Sequence, residues 1–359
     1  MNSFIGKPVS ALPTPALVVD MEALDHNLKA LADYFASRRA KLRPHFKSHK
    51  CVTLARRQLE SGSAVGITCA KLAEAEMFVA GGVKDVLVAN QVVGAPKAQR
   101  LAALNRGAAV RSAVDSAVNV AELGAAALDA GVIIGVLIEV DIGMRRCGVP
   151  PGEPAVALAR TIQNTRGLRF DGLQAYEGHL VTLPNFEERR QKVTEAMHPL
   201  LQTRQSLQAA DLPCQIVSGG GTGTYDITGN LEVFDEVQAG SYALMDNSYK
   251  KVRPEFRNAL SLLTTIISAR QDYMVTDVGL KGMGNEFGLP VVAGAPEATA
   301  RYIAEEHVPF DNFSAPVRSK LHLVPSHGCT TCNLHRRLWI ARGELIEDVW
   351  PIEASGCLE

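Results

Sequence analysis

The sequence predicts an α/β fold: a (β/α)8 barrel of the TIM type followed by a smaller C-terminal β domain. Three observations predict it. Eight short apolar runs alternate with helix-like segments along most of the chain. The residues that carry chemistry fall just after those runs, which is where barrel enzymes build their sites. Beyond residue 247 the helix-like segments give way to strand-like runs joined by Gly- and Pro-containing turns.

In chain order, Thr14-Pro15-Ala16-Leu17-Val18-Val19-Asp20 reads as a short strand. From Met21 the apolar residues Leu24, Leu28, Leu31 and Phe35 recur at helical spacing, with Asp20 placed to cap that helix. The barrel strands are expected at 41–44, 64–69, 85–89, 109–114, 133–140, 170–176, 214–218 and 236–238. Helices are expected among them at 70–80, 117–130, 154–164 and 185–208. An open doubly wound sheet would show the same alternation, and only the placement of the chemical residues favours the barrel. The barrel is drawn at 17–246 and the β domain at 247–359 together with 1–16. In the β domain, strands are expected at 260–269, 274–278, 321–324, 337–341 and 344–350, and the strand near Ala16 is expected to join them.

Composition narrows the partner. At 359 residues, 47% hydrophobic, 21% charged and a net charge of -1, nothing points to nucleic acid or a membrane surface, and a small molecule is expected. The longest apolar run, 132–138, is broken by Gly135 and is far too short to span a bilayer. The first residues lack a basic start followed by an apolar core, so a cytoplasmic location is expected. Seven cysteines in no regular framework fit reduced thiols.

Four stretches carry chemistry. Arg43-Pro44-His45-Phe46-Lys47-Ser48-His49-Lys50 crowds cations after the first strand. A part-buried lysine beside other cations can lose its proton and attack an aldehyde, and Lys47 is the candidate; a solvated basic loop is the plain alternative. Ser218-Gly219-Gly220-Gly221-Thr222-Gly223-Thr224 follows an apolar strand and suits a phosphate, because glycines let backbone amides approach an anion. It has neither the dinucleotide spacing nor the lysine of a P-loop. A second small-residue turn, Gln238-Ala239-Gly240-Ser241-Tyr242, follows the next strand and would complete the cradle. Asp141-Ile142-Gly143-Met144-Arg145-Arg146 sets a guanidinium at another strand end, either for a cofactor oxygen or for an ion pair with Asp141. In Pro325-Ser326-His327-Gly328-Cys329-Thr330-Thr331-Cys332-Asn333-Leu334-His335, an extended segment would aim His327 and Cys329 to one side as a metal pair. Three readings stand there: a two-ligand catalytic metal, a four-ligand structural zinc with Cys332 and His335, or packing without metal.

Together these blocks resemble the D-serine dehydratase and D-threonine aldolase family, fold-type III pyridoxal phosphate enzymes with an alanine racemase-like barrel. The likeness runs from Thr14 to Pro351 through RPHFKSHK, GMRRCG, LQAYEGH, SGGGTGTYD, QAGSYALMD, DVGLKG and PSHGCTTCN. It implies Lys47 as the Schiff-base lysine and Arg146 near the ring oxygen. Gly221, Thr222, Gly240, Ser241 and Tyr242 would lie about the phosphate, Ser218 would also belong to the cofactor site, and Gln238 would be a neutral partner of the pyridine nitrogen. Tyr176 and His179 would line the substrate side, and His327 and Cys329 would bind a divalent metal, zinc first, with manganese or magnesium as alternatives.

The implied reaction acts on a D-3-hydroxy amino acid such as D-serine, D-threonine or D-3-hydroxyaspartate. Lys47 takes the Cα proton, the metal improves the β-hydroxyl as a leaving group, and a 2-keto acid and ammonia result. The alternative is retro-aldol cleavage to glycine and an aldehyde. Aspartate where this chain has Cys329, and a histidine within the segment here reading Leu180-Val181-Thr182-Leu183, mark the family's aldolases, so both departures lean toward dehydration. A racemase would need a second base that no residue supplies, and a non-catalytic cofactor carrier would lack the β domain. The resemblance also implies a homodimer.

Overall fold

In the computed structural model, which describes residues 2–359, the chain divides into two compact units. One comprises Ala32–Lys47, Ala55–Gly240 and Cys357–Glu359; the other comprises Met1–Leu31, Ser48–Leu54 and Ser241–Gly356.

The chain enters through β1 (Ala16–Asp20) and α1 (Met21–Ala36), and the Asp20 carboxylate accepts from the Glu22 and Ala23 amides as the expected cap. The first unit then alternates β2 (Lys41–Leu42), α2 (Val52–Glu60), β3 (Ile67–Cys69), α3 (Leu72–Ala80), β4 (Asp85–Gln91), α4 (Ala95–Leu104), β5 (Ala109–Val114) and α5 (Ala117–Ala130). It continues with β6 (Ile134–Glu139), α6 (Glu153–Gln163), β7 (Leu168–Ala175), α7 (Phe186–Ala209), β8 (Ile216–Gly219), α8 (Tyr225–Thr228) and β9 (Glu236–Val237). All eight strands are parallel, in the order β2-β9-β8-β7-β6-β5-β4-β3, and isolated parallel bridges Leu42↔Ala64 and His45↔Thr68 join β2 to the β3 side. This is the predicted barrel.

The first strand is shorter than expected because Pro44 has no N–H to give the ladder. Its path still runs as a strand would: Arg43 N–H donates to the Val237 carbonyl and His45 N–H to that of Ala239. The Ala-rich helix α5 is well delimited by sequence. Ser116 Oγ accepts from the Asn119 amide at its start, and Gly131, at φ 67°, ends it in the left-handed conformation.

The N-terminal ends of the strands hold a paired charge network. Arg43, 2% exposed, donates two bonds of 2.7 Å to Glu236 and one of 2.6 Å to Asp85, while Arg111 reaches Asp85 and Asp171. Burial would lower the Arg43 pKa, but the two carboxylates outweigh it and raise it above the ordinary arginine value.

The second unit continues with α9 (Asn247–Val252), β10 (Leu260–Ala269), β11 (Tyr273–Thr276), β12 (Val291–Val292), β13 (Thr299–Ala300), β14 (Val308–Asp311), β15 (Lys320–Val324), α10 (Gly328–Leu334), β16 (Arg337–Arg342) and β17 (Leu345–Pro351). Its sheet runs β13-β14-β11-β10-β1-β16-β17, with β15 also on β10 and β12 on β15. As expected, β1 joins these strands, antiparallel to β10 and parallel to β16. Leu12, Val18, Leu263, Trp339 and Ile346 share its core. Strands β12 to β14 were not expected from the sequence. Two of them are two residues long, and such pieces show no period. No helix among the described residues is long and apolar enough to cross a membrane, and all seven cysteines are free.

Candidate active site

The barrel unit brings several predicted residues to the C-terminal ends of its strands. Lys47 sits in a single 3-10 turn, Phe46–Ser48, and is half-buried. Its Nζ lies 5.8 Å from the centre of the Tyr176 ring, and the Arg146 guanidinium lies 5.4 Å from the same ring. Tyr176 follows β7 directly, so one aromatic ring gathers both cations. The alternative of an Arg146–Asp141 pair is corrected: Arg146 pairs with Glu139 at 3.6 Å, while Asp141 accepts from the Gly143 and Arg145 amides of its own turn. His179 is exposed, and a Cβ at Gly143 would sit 3.6 Å from its Nε2.

Strands β8 and β9 are neighbours, which sets the glycine-rich turn after β8 beside the turn that opens at Gln238. Gln238 N–H donates to the Gly219 carbonyl at 2.7 Å, and its side-chain Nε2 donates to Ser218 Oγ at 3.0 Å and Gln174 Oε1 at 3.3 Å. Ser218 and Thr222 are buried. A Cβ at Gly240 would drive into the His45 carbonyl, and one at Gly223 into that of Val181, while one at Gly221 would stand 3.5 Å from the Tyr176 ring. Small residues are therefore required where the backbone passes closest, as an anion cradle needs. A lysine beside an aromatic ring, with a tight glycine turn at another strand end of the same barrel, fits pyridoxal phosphate.

Ser241 and Tyr242 belong to the other unit. Tyr242 has a fully buried side chain, with its ring 5.9 Å from that of Phe256. Ser241 Oγ lies 3.9 Å from Cys329 Sγ.

The metal pair takes a different shape from the one expected. His327 is extended (φ -143°, ψ 132°), but Cys329 is already inside α10, so the pair straddles a helix start. The two side chains still meet, since the Cys329 sulfur hydrogen-bonds the imidazole. His327 Nδ1 is 2.8 Å from Asp246 Oδ2, which leaves Nε2 as its ligand atom. Asp246, 1% exposed, also accepts from the Gly328, Ser248 and Tyr249 amides. Burial alone would lower the His327 pKa, but the Cys329 sulfur and the Asp246 carboxylate outweigh it and raise it to about 10. An imidazole and a thiol brought together in this way are donors that fit a divalent cation.

The structural zinc reading does not survive. His335 Nε2 is bound at 2.7 Å to the Gly282 carbonyl, and Cys332 is fully buried. No group of three or more His, Cys, Asp or Glu suited to a metal occurs among the described residues.

Sequence reasoning missed Asp246 and Glu177. Asp246 was visible as an acidic residue ending an apolar run before Asn247 and Ser248, a helix-start signal. Glu177 carried no signal beyond its neighbourhood.

Residues 19–248 match the family model for the alanine racemase N-terminal domain, and residues 259–341 match a serine dehydratase domain. A 3-hydroxy-D-aspartate aldolase of Paracoccus denitrificans is 37% identical over 98% of this chain and 94% of its own length. The crystal structure of D-threonine aldolase from Filomicrobium marinum is matched with a TM-score of 0.97 at 35% identity, covering 100% of both chains. That of D-threo-3-hydroxyaspartate dehydratase from Delftia sp. HT23 is matched with a TM-score of 0.86 at 26% identity, covering 96% of this chain and 98% of that one. Alanine variants of a D-threo-3-hydroxyaspartate dehydratase at a histidine and at a cysteine two positions apart have been solved, the cysteine variant in a metal-free form.

Proposed function

Because the chain belongs to the family that joins an alanine racemase N-terminal domain to a serine dehydratase domain, we propose that it is a lyase of D-3-hydroxy amino acids that uses pyridoxal phosphate and a divalent metal. When bound, the cofactor supplies an electron sink for the substrate Cα and the metal a Lewis acid for the β-oxygen. Lys47 is the amine that holds the cofactor and then carries the Cα proton. Arg146 donates to the ring oxygen, and Tyr176 backs both cations. Gly221, Thr222, Gly240, Ser241 and Tyr242 take the phosphate, the last by its backbone because its ring is in the core. Gln238, an amide, faces the ring nitrogen without charging it, and Ser218 orients Gln238. His179 serves the substrate side. His327 Nε2 and Cys329 Sγ bind the metal, with Asp246 fixing the imidazole. The working enzyme is a homodimer in this reading, on the family resemblance.

Dehydration to a 2-keto acid and ammonia is the reaction proposed. The observation that carries it is the His327–Cys329 pair, spaced like the altered histidine and cysteine of the dehydratase. A second reading, aldol cleavage, is favoured by the greater overall likeness to the two aldolases. Incubation of the loaded enzyme with D-threonine separates them. 2-Ketobutyrate with equimolar ammonia supports dehydration, whereas glycine with acetaldehyde sinks it and establishes cleavage.

A further inference from the structure

Glu177 occupies an unusual position. It is fully buried on the barrel, one residue beyond Tyr176, behind the glycine-rich turn that follows β8. Its Oε1 accepts from Thr224 Oγ1 at 2.6 Å and from Thr228 Oγ1 at 2.5 Å, while its Oε2 is buried without a hydrogen-bond partner. Thr224 Oγ1 in turn accepts from the Gly221 amide at 3.3 Å. A chain of hydrogen bonds thus runs from the carboxyl through a hydroxyl to the backbone of the turn. We propose that Glu177 is a positioning residue that holds turn 220–223 in its phosphate-accepting shape through Thr224 and Thr228.

The turn needs such a hold. Glycines at 219, 220, 221 and 223 leave it with more unfolded freedom than any other stretch of side chains would, so its ordering must be offset by fixed contacts. Gly220, at φ 73°, packs where a Cβ would stand 3.0 Å from Thr228, so the two threonines flank the bend. A buried carboxyl with one oxygen unmatched is costly, and its presence beneath this turn is explained by the two hydroxyls it orders. Burial raises the Glu177 pKa, and the hydroxyls of Thr224 and Thr228 and the amides of Glu177 and Gly220 oppose that rise without cancelling it.

This inference rests on the proposed cofactor site, and the test separates the two. Full-length apoprotein is titrated with pyridoxal phosphate, following bound-cofactor absorbance and equilibrium dialysis, with far-UV circular dichroism as the folding control. Glu177→Gln keeps an oxygen for both hydroxyls, so binding should fall within about threefold of wild type. Glu177→Ala should bind roughly tenfold more weakly or worse, as expected for the loss of about two hydrogen bonds. Thr224→Val together with Thr228→Val should weaken binding similarly, and carries the test if the alanine variant does not fold. Alanine and valine variants that bind like wild type would overturn the inference alone, as would a glutamine variant as weak as the alanine one. Wild-type protein that takes up no pyridoxal phosphate would overturn both the inference and the proposed site.

Discussion

Replacing Asp246 by Asn tests how the metal pair is held. The wild-type carboxylate divides its work: Oδ1 accepts from the Ser248 and Tyr249 amides at the start of α9, and Oδ2 accepts from His327 Nδ1 at 2.8 Å and the Gly328 amide at 3.0 Å. Asparagine can keep the first pair of bonds. Its NH2 then faces two donors, so the Gly328 amide loses its acceptor in a buried place, at about 1–3 kcal/mol. The imidazole can relieve the clash only by moving its proton from Nδ1 to Nε2, the nitrogen needed for a metal. Loss of such a histidine partner typically costs about 10- to 100-fold in metal affinity, which is about 1.4–2.8 kcal/mol. Asp246→Ala would lose the α9 cap as well, adding about 1 kcal/mol to the fall in stability. Zinc titration against a chromophoric chelator reads the affinity, and urea unfolding of the apoprotein reads the stability. An asparagine variant that binds zinc as tightly as wild type would refute the assignment of Asp246 as the partner that fixes His327.

Further outcomes follow from the same structure. Arg43→Met should destabilise the fold by about 3–5 kcal/mol in urea unfolding, because it strands the buried Glu236 carboxylate; a loss below about 1 kcal/mol would mean that the network contributes little. Dialysis against a chelator should abolish lyase activity, leave the bound-cofactor absorbance in place and be reversed by zinc, whereas retained activity would remove His327 and Cys329 from the reaction. The Glu177 pKa is raised on folding, so its contribution to stability is full below the ordinary glutamate range and is lost as pH rises toward the folded value. Glu177→Gln should therefore lose less stability than wild type on going from mildly acidic to alkaline pH, and parallel profiles would show that Glu177 does not titrate there.

Most of the barrel was legible in sequence because its strands are separate apolar runs and its helices carry the 3.6-residue period. The ends were less so. Pro44 cut short a strand whose path continues to His45, and α9 and α10 arose in a region that reads as strand because each is under two turns long. That second point changed the metal pair's geometry: an extended His-x-Cys would align both side chains by period, whereas here a helix start brings them together. Lys47 and Arg146 were legible by chemistry and Tyr176 by the family resemblance, but the meeting of both cations at the Tyr176 ring depends on the barrel bringing separate strand ends together. Asp246 and Glu177 were hidden for a related reason. Each acts on residues far along the chain, His327 and Thr224, and a carboxylate's partner has no periodic signature.

Lys47 is the lysine that holds pyridoxal phosphate in the proposed enzyme. Lys50, three residues on, is the natural competitor, but its Nζ is engaged at 2.7 Å by Asn333. The most direct measurement is borohydride reduction of the cofactor-loaded protein followed by peptide mapping of the pyridoxyl group. Label on Lys47, absent from Lys47→Ala, is the predicted result. Label on Lys50 or another lysine, with Lys47→Ala still labelled, would place the cofactor on a different amine and overturn the assignment of Lys47.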